Sequence, residues 1–190
     1  DKGEKKLLNG TVLAADSNAS QDLKDALDNI YAHPNLAPFV SYRLIQRLVK
    51  SNPSKEYVGR VANIFNNNGS GVKGDLKSVI KAILLDQEAR TINESDLTAG
   101  KLKEPILRAT QLWRAYGLKD IEYDNTGKGG YIFRGFYGNK DILDVFGQGP
   151  LQSPSVFNFF SPFYSPPGEI SNQSLVAPEL EIATEYQNTN

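Results

Sequence analysis

The sequence predicts a mainly α-helical domain, with multiple helices in orthogonal or bundle-like packing, a small N-terminal β-hairpin and long irregular C-terminal loops. Three observations predict it: apolar residues recur every three to four positions through the middle of the chain, an Asn-Gly pair separates two short apolar runs near the start, and glycine, proline and aromatic residues dominate the C-terminal third. We expect a single domain over 1–190, made of a hairpin arm (1–17), a helical core (18–118) and a loop region with short helices (119–190).

The hairpin is predicted at Lys6–Leu13, where Asn9 and Gly10 form the strongest short-range turn signal in the chain. The first helix is expected to begin at Ser20, a residue type that caps helices. It should end near His33, because the proline that follows disfavours helical geometry in the residue before it.

A second helix is expected over about Pro38–Lys50, and it is the best core candidate because two rows of apolar residues run along it. A third opens with Pro53-Ser54-Lys55-Glu56 and ends at Asn66–Gly69, residues that tolerate left-handed geometry. The rows of the second helix are Val40, Leu44 and Leu48, with Ile45 and Val49 adjacent.

Asp75 can open a further helix that keeps the helical period to about Ala89. The last long helix is predicted over roughly Leu102–Tyr116, with Pro105 in its first turn, where proline is tolerated, and Gly117 at its end. Its expected buried side consists of Ile106, Leu107, Ala109, Leu112, Trp113 and Tyr116.

The C-terminal third is predicted to be irregular. The glycine-rich stretch 120–138 reads as a long surface loop, which in a compact domain is functional or poorly ordered. Short helical segments are expected at Asp141–Phe146, at Ser155–Phe160 and from Pro178 onward.

Composition excludes several classes of function. The 190 residues are 39% hydrophobic and 23% charged, and their net charge is −1, so a disordered chain and an electrostatically driven nucleic-acid binder are both disfavoured. No run of apolar residues reaches the roughly 18 that a membrane-spanning helix needs. Zero cysteines exclude disulfides, thiolate metal sites and cysteine nucleophiles.

Two short motifs are interpreted as structural. Gly69–Gly74 fits the G-x-G-x-x-G pattern, but a predicted helix precedes it where a dinucleotide site needs a strand. Ser78–Lys81 fits S-x-x-K without the elements that accompany it in penicillin-recognising enzymes. The single histidine, His33, argues against a zinc site, and the loop 66–75 has only one acid for calcium, so we expect no metal and no cofactor.

The candidate catalytic residues are few. Glu104 and Arg108 have helical ion-pair spacing, for which a structural role is the default and a site role becomes arguable if the pair is buried. His33 and Arg47 complete this set, although His33 also suits a helix end.

The candidate binding residues form two groups. Arg43, Gln46, Arg47 and Lys50 are predicted to form a basic helix face, which either grips an anion or is simply solvated. Aromatic residues of the C-terminal third either form a ligand platform or pack the loops onto the helices. These are Tyr131, Phe133, Phe136, Tyr137, Phe157, Phe159, Phe160, Phe163 and Tyr164.

Several ordered strings along nearly the whole chain resemble one family. They include His33-Pro34-Asn35, Leu44–Val49, Asn68–Leu76 with a variable Lys73, Ile83–Arg90 with a variable Gln87, and Ser153–Pro162. Together they resemble the bacterial domain-of-unknown-function 1800 family. The resemblance implies the C-terminal part of a longer exported protein, located outside the cytoplasm, and it carries over no catalytic residue because no activity is established for the family.

Two hypotheses of function follow. The first is a non-catalytic helical module that binds a protein partner or a surface polysaccharide through its aromatic loops. The second is part of an extracytoplasmic, hydrolase-like enzyme that uses carboxylate acid/base chemistry, with its other catalytic groups elsewhere in the protein. Because the chain opens at Asp1 rather than at methionine, we expect a fragment whose remaining chain is also a partner.

Overall fold

The computed structural model describes residues 2–91, 95–117 and 142–183, and it confirms the predicted fold class. The chain divides into two compact units, Asp1–Leu48 with Pro53–Ile92 (unit 1) and Val49–Asn52 with Asn93–Asn190 (unit 2). The single-domain arrangement stays a prediction, because compactness alone does not test whether a unit folds independently.

Unit 1 opens with the predicted hairpin. Strands β1 (Lys5–Lys6) and β2 (Val12–Leu13) pair antiparallel, and a 3₁₀ turn over Leu8–Gly10 joins them. Asn9 and Gly10 have φ values of 57° and 74°. Left-handed geometry at two consecutive turn residues is what the Asn-Gly pair provides, so the turn signal is confirmed.

Helix α1 (Ala19–Ala32) begins slightly earlier than the sequence suggested. Asn18 is the N-cap, and its side chain accepts a hydrogen bond from the Ser20 backbone N–H at 2.8 Å, so the prediction that Ser20 begins the helix is wrong. The amide of Asn18 caps the helix two residues earlier than a cap at Ser20 would. His33 ends the helix as expected.

Three helices, α2 (Leu36–Leu48), α3 (Lys55–Asn66) and α4 (Leu76–Leu85), form the core of unit 1 by packing α2 on α3 and α3 on α4. Ser54 and Asp75 cap α3 and α4 through their side chains. The fully buried large side chains of this core are Ile45, Tyr57, Val61, Val79 and Ile83.

The buried row of α2 agrees with the predicted rows only at Ile45. Ala37, Ser41 and Ile45 are 0–1% exposed, whereas Leu48 is 46% exposed and Val40 and Leu44 are half-buried. Small side chains at two of the three buried positions let the neighbouring helix approach closely, so the core lies along this row rather than along the larger residues.

The helix predicted from Asp75 to about Ala89 is interrupted. At Asp86 the backbone is extended (ψ 145°), and its side chain accepts from the Glu88 N–H at 2.9 Å, so it caps a separate short helix, α5 (Gln87–Arg90). A capping residue has non-helical geometry by nature, and the apolar period alone did not reveal it.

The loop between α3 and α4 is organised by two consecutive asparagines. The side-chain oxygen of Asn67 accepts from the N–H groups of Gly69 and Gly71, and that of Asn68 accepts from those of residues 70 and 72. A helix precedes this G-x-G-x-x-G stretch, which confirms its interpretation as a connecting loop. The Ser78 hydroxyl of the S-x-x-K match donates to the capping carboxylate of Asp75 at 2.7 Å.

Unit 2 contains α6 (Pro105–Ala115), α7 (Ile142–Phe146), α8 (Glu169–Asn172) and a 3₁₀ turn at Pro178–Glu181. The helices expected near 102–116 and 141–146 and from 178 are therefore present. The buried side predicted for α6 is wrong for Leu107, Leu112 and Tyr116, which are 47%, 55% and 77% exposed. Ile106, Ala109 and Trp113 are half-buried, and Pro105 is the buried residue of the helix. Helical spacing identifies an apolar side but not whether another element covers it.

The helical turn expected at Ser155–Phe160 is also wrong. A tight turn is found there, closed by a bridge between Ser155 and Asn158, with Asn158 at φ 71°. Left-handed geometry at Asn158 ends any helical run. The glycine-rich loop 120–138 lies outside the described residues.

Candidate protein-binding surface

Helix α1 turns its apolar stripe towards solvent. Leu23, Leu27, Ile30 and Tyr31, at positions i, i+4, i+7 and i+8, are 61%, 56%, 47% and 45% exposed. We call these four residues the α1 face. An amphipathic surface helix normally buries such a stripe, and α1 has no buried residue at all.

The orientation follows from the polar edge of α1, which holds the helix to the hairpin. Asp22 lies 3.0 Å from the ammonium of Lys5 in β1, and the Asn29 amide donates to the Leu8 carbonyl at 3.2 Å. Hydrogen bonds from Ser17 and Lys5 hold the pKa of Asp22 below its usual value. Because polar contacts attach this edge to unit 1, the apolar stripe on the other side is left uncovered.

The C-terminal end of α1 is fixed by a reciprocal contact. The Tyr31 hydroxyl donates to the Lys73 carbonyl at 2.6 Å, and the Lys73 ammonium donates to the Tyr31 carbonyl at 2.6 Å. The same ammonium lies 4.7 Å from the centre of the Tyr31 ring. These contacts hold Tyr31 in place although almost half of it is exposed.

The α1 face continues into a cleft of about 280 Å³, which we call the α1–α2 cleft. Ile30 belongs to both, while Leu8 and Phe39, at 51% and 53% exposed, extend the apolar area. The cleft is lined by Leu8, Ile30, His33, Asn35, Leu36 and Phe39. Unit 1 therefore presents a continuous apolar surface from the middle of α1 to the start of α2.

Of the residues singled out in the sequence, His33 lines this cleft and Arg43 contacts Phe39, which also lines it. The ring nitrogen Nδ1 of His33 accepts from the Asn35 N–H at 3.1 Å, which shapes the turn from α1 to α2. The Arg43 guanidinium lies over the Phe39 ring at 5.5 Å and over Tyr42 at 5.1 Å. Both residues thus border an apolar surface, and their binding or catalytic roles stay predictions.

The predicted basic face of the second helix is only partly exposed to solvent. Gln46 and Lys50 are only 5% and 4% exposed. The Lys50 ammonium lies 3.6 Å from Asp96 and 3.2 Å from the Thr98 hydroxyl within unit 2. Arg47 is exposed, and its role stays a prediction. The helical period placed these residues on one side of the predicted helix but could not show that Gln46 and Lys50 are buried.

Two carboxylates are buried among the described residues of unit 2. Glu104, 5% exposed, accepts from the side-chain amide of Gln148 at 2.5 Å. Glu179, 1% exposed, lies 2.7 Å from the Lys101 ammonium through Oε1, and its Oε2 has no hydrogen-bond partner in the described part of the chain. Glu104 is thus buried, whereas Arg108 is exposed, so they are not the buried pair that would favour a site role.

A second cleft, of about 400 Å³, lies within unit 2. Residues 97–102 and 175–177 supply most of its lining, and Lys101 connects it to the buried Glu179. Asn52 holds one wall in place, because its amide accepts from the Val176 N–H at 2.9 Å and donates to the Val176 carbonyl at 2.8 Å. This cleft combines apolar walls with a few polar groups.

The aromatic candidates are only partly described. Phe157 and Phe163 are 61% and 64% exposed, Phe159 and Tyr164 are half-buried, and Phe160 is buried. Their roles stay predictions, and the other four candidates, Tyr131, Phe133, Phe136 and Tyr137, lie outside the described residues.

Sequence reasoning missed the α1 face as a functional surface and did not single out Glu179. The spacing of Leu23 and Leu27 identified the helix, but a buried and an exposed stripe have the same spacing. The burial of Glu179 depends on Lys101, which is far away in sequence. No local signal announces either feature.

Three further observations bear on class. Across residues 2–91, 95–117 and 142–183, no three His, Cys, Asp or Glu side chains come together as a metal site would require. In the same ranges every helix is too short or too polar to cross a membrane. No curated protein and no solved structure matches the chain.

The model of one family, DUF1800, described as a protein of unknown function, matches residues 1–189. That match covers nearly every position, including the strings from His33 to Pro162 that carry the resemblance. The chain therefore belongs to the DUF1800 family.

Proposed function

We propose that this chain is a binding module that takes a protein partner on the α1 face and the adjoining α1–α2 cleft. The observation that carries the proposal is the exposure of the whole apolar stripe of an amphipathic helix. Apolar surface gains about 25 cal/mol per Å² when it leaves water, and contiguous exposed apolar patches mark interaction sites.

The chemistry of the surface favours a protein over a polysaccharide. Three of the four residues of the α1 face are aliphatic, and the hydroxyl of the fourth, Tyr31, is already bonded to Lys73. Aliphatic side chains suit the apolar side chains of a partner, in the way that an amphipathic helix meets an apolar groove. A sugar is better held by aromatic rings with polar groups around them.

The test is site-specific photocrosslinking in the organism that makes the protein. A photoreactive residue replaces Leu27 or Leu23 in turn, and the matched control replaces Leu84, which is 50% exposed on α4 of the same unit. We expect one protein adduct from positions 27 and 23 that the control does not give, and we expect Leu27→Glu to remove the adduct formed at position 23. Equal adducts from all three positions, or none, would contradict the proposal.

A polysaccharide ligand is the alternative outcome, and it has its own readout. Retention of the protein on insoluble polysaccharides that is lost in Phe163→Ala, but is unchanged in Leu27→Glu, would move binding to the aromatic loops. Phe163 and Phe157 are the exposed aromatic residues of that segment, at 64% and 61%.

The second candidate, part of a hydrolase-like enzyme, is favoured by one observation. Glu104 and Glu179 are buried carboxylates of unit 2, and Oε2 of Glu179 accepts no hydrogen bond from the described residues. Burial is one way in which enzymes adapt a carboxylate to general acid/base catalysis. Loss of polymer hydrolysis by the whole protein in Glu104→Gln or Glu179→Gln, with the fold intact, would establish it.

We further propose an extracytoplasmic location, which the family resemblance supports. Fractionation of the producing cells tests it. Recovery of the full-length protein from the periplasm, cell surface or medium is expected, and recovery from the cytoplasm alone would contradict it.

A further inference from the structure

We infer that the α1 face is self-complementary and that its partner is a second copy of this chain, with the two α1 helices packed antiparallel about a two-fold axis. This inference rests on the proposed function, because it names the partner of the same surface. The evidence is the position of the charges that border the stripe.

On α1 itself, Lys24 and Asp28 lie beside the α1 face, while the Lys73 ammonium outside the helix is already bonded to the Tyr31 carbonyl. Lys24 and Asp28 form an i,i+4 pair at 2.5 Å, with 67% and 63% of their side chains exposed. The pairing raises the pKa of Lys24, with the hydrogen bond to Asp28 as the main cause. The remaining acids of the helix are engaged elsewhere, since Asp22 binds Lys5 and Asp25 accepts from Gln21.

The spacing of these residues fits a two-fold axis. Leu23 and Ile30 are equidistant from a point between residues 26 and 27, so an antiparallel copy places them opposite each other. The midpoint of Lys24 and Asp28 lies within one residue of the same point, so each faces its opposite charge in the other copy. A surface that packs on itself about a two-fold axis must be complementary to itself. Here the apolar pair Leu23–Ile30 and the charged pair Lys24–Asp28 both meet that requirement.

The neighbouring exposed stripe on α4 shows the contrast. Leu76, Ile80 and Leu84 are 53%, 40% and 50% exposed, and the stripe is bordered by Lys77 and Lys81. Self-packing of α4 would bring like charges together, which opposes association. Charge therefore selects α1, rather than any exposed apolar stripe, for contact between copies.

The α1–α2 cleft enlarges the contact. Ile30 is part of both the stripe and the cleft wall, and the opposing Leu23 approaches at that point. Leu36 and Phe39 then offer further apolar surface to the second copy. The stripe and the cleft together offer a larger contact area than the stripe alone, and this brings the area closer to that of a specific interface.

The experiment is sedimentation equilibrium of the intact chain over a range of concentrations. We expect a monomer–dimer equilibrium that Leu27→Glu abolishes and that the control Leu84→Glu leaves in place. Circular dichroism and the melting temperature confirm that each variant is folded.

Charge reversal supplies a second, independent readout. Lys24→Glu and Asp28→Lys should each weaken self-association by about 3- to 30-fold, because two rim pairs become repulsive. Mixing the two variants one to one should restore dimerisation as a heterodimer. Restoration is specific to facing Lys24–Asp28 pairs and does not arise from a general effect on the helix.

The inference is overturned if the chain is monomeric at every concentration, if Leu84→Glu disrupts the dimer as strongly as Leu27→Glu, or if the mixture remains monomeric. A monomer that still gives adducts with another protein from position 27 overturns self-association alone and leaves the proposed function standing. A monomer without such adducts removes both.

Discussion

The buried hydroxyl of Tyr57 offers the sharpest test of how unit 1 is held together. Tyr57 is 0% exposed in α3, and its hydroxyl donates to the Ile83 carbonyl at 2.6 Å. Ile83 is among the last four residues of α4, whose carbonyls have no partner within the helix. Tyr57→Phe keeps the ring and leaves that carbonyl unsatisfied, so we expect it to lower the free energy of unfolding by about 1–3 kcal/mol at neutral pH.

Ionisation of Tyr57 makes the destabilisation by Tyr57→Phe vary with pH in the alkaline range. Burial raises the pKa of Tyr57 to about 12, and the nearby Asp86 and Glu88 carboxylates add to the rise. The unfolded-state pKa is about 10, so the folded protein binds the proton more tightly. The stability from this group is fully present below about pH 10 and is lost as pH rises towards 12, with an upper limit of about 2.7 kcal/mol for two pH units.

The assay is urea unfolding of wild type and Tyr57→Phe between about pH 8 and pH 12. The difference in free energy of unfolding between the two proteins should be constant at the lower end and should shrink above about pH 10. The control is Tyr116→Phe, because Tyr116 is 77% exposed. A difference that stays constant to pH 12 would refute the assignment of a buried, hydrogen-bonded hydroxyl.

Three further predictions concern other contacts. Hydrogen bonds from Arg60 at 2.8 Å are the main cause of the lowered pKa of Asp86. Asp86→Asn should therefore destabilise the protein above about pH 4, and its effect should decrease as pH falls through the pKa of Asp86 in the folded protein. Unfolding at several acidic pH values measures this. Asn52→Ala removes both hydrogen bonds to the Val176 backbone and should lower the free energy of unfolding in urea by about 1–3 kcal/mol. A decrease under about 0.5 kcal/mol would show that these two hydrogen bonds are not formed. Leu27→Ala, at an exposed position, should lower the free energy of unfolding of the monomer by under about 1 kcal/mol, and Ile83→Ala, at a buried position, by about 2–5 kcal/mol. Equal decreases in thermal unfolding would mean that the α1 face is covered within the chain.

Local chemistry allowed much of the fold to be predicted. The Asn9-Gly10 turn, the helix openings at Pro53–Glu56 and at Asp75, and the first-turn position of Pro105 all depend on residues within a few positions of one another. Backbone geometry and unpaired helix-end groups dictate these features directly. The sequence therefore located most of the long helices correctly.

The direction in which each helix faces could not be predicted in the same way. Leu48 on α2 and Leu112 on α6 satisfy the helical period and are exposed, whereas Ser41 and Lys50 are polar or charged and are buried. Burial depends on what distant segments cover, such as the contact of Lys50 with Asp96. For the same reason, the sequence could not predict that the apolar stripe of α1 is exposed.

The paired asparagines after α3 have a consequence for ligand chemistry. Glycine-rich loops hold phosphate groups by directing several backbone N–H groups into one space. Here two amide oxygens, from Asn67 and Asn68, already occupy four such donors. The two side-chain oxygens take the place of an anion, and a phosphate group would have to displace both side chains to use these four N–H groups. The motif has the glycines of a phosphate-binding loop, but side chains of the protein itself accept the hydrogen bonds that a phosphate group would otherwise accept.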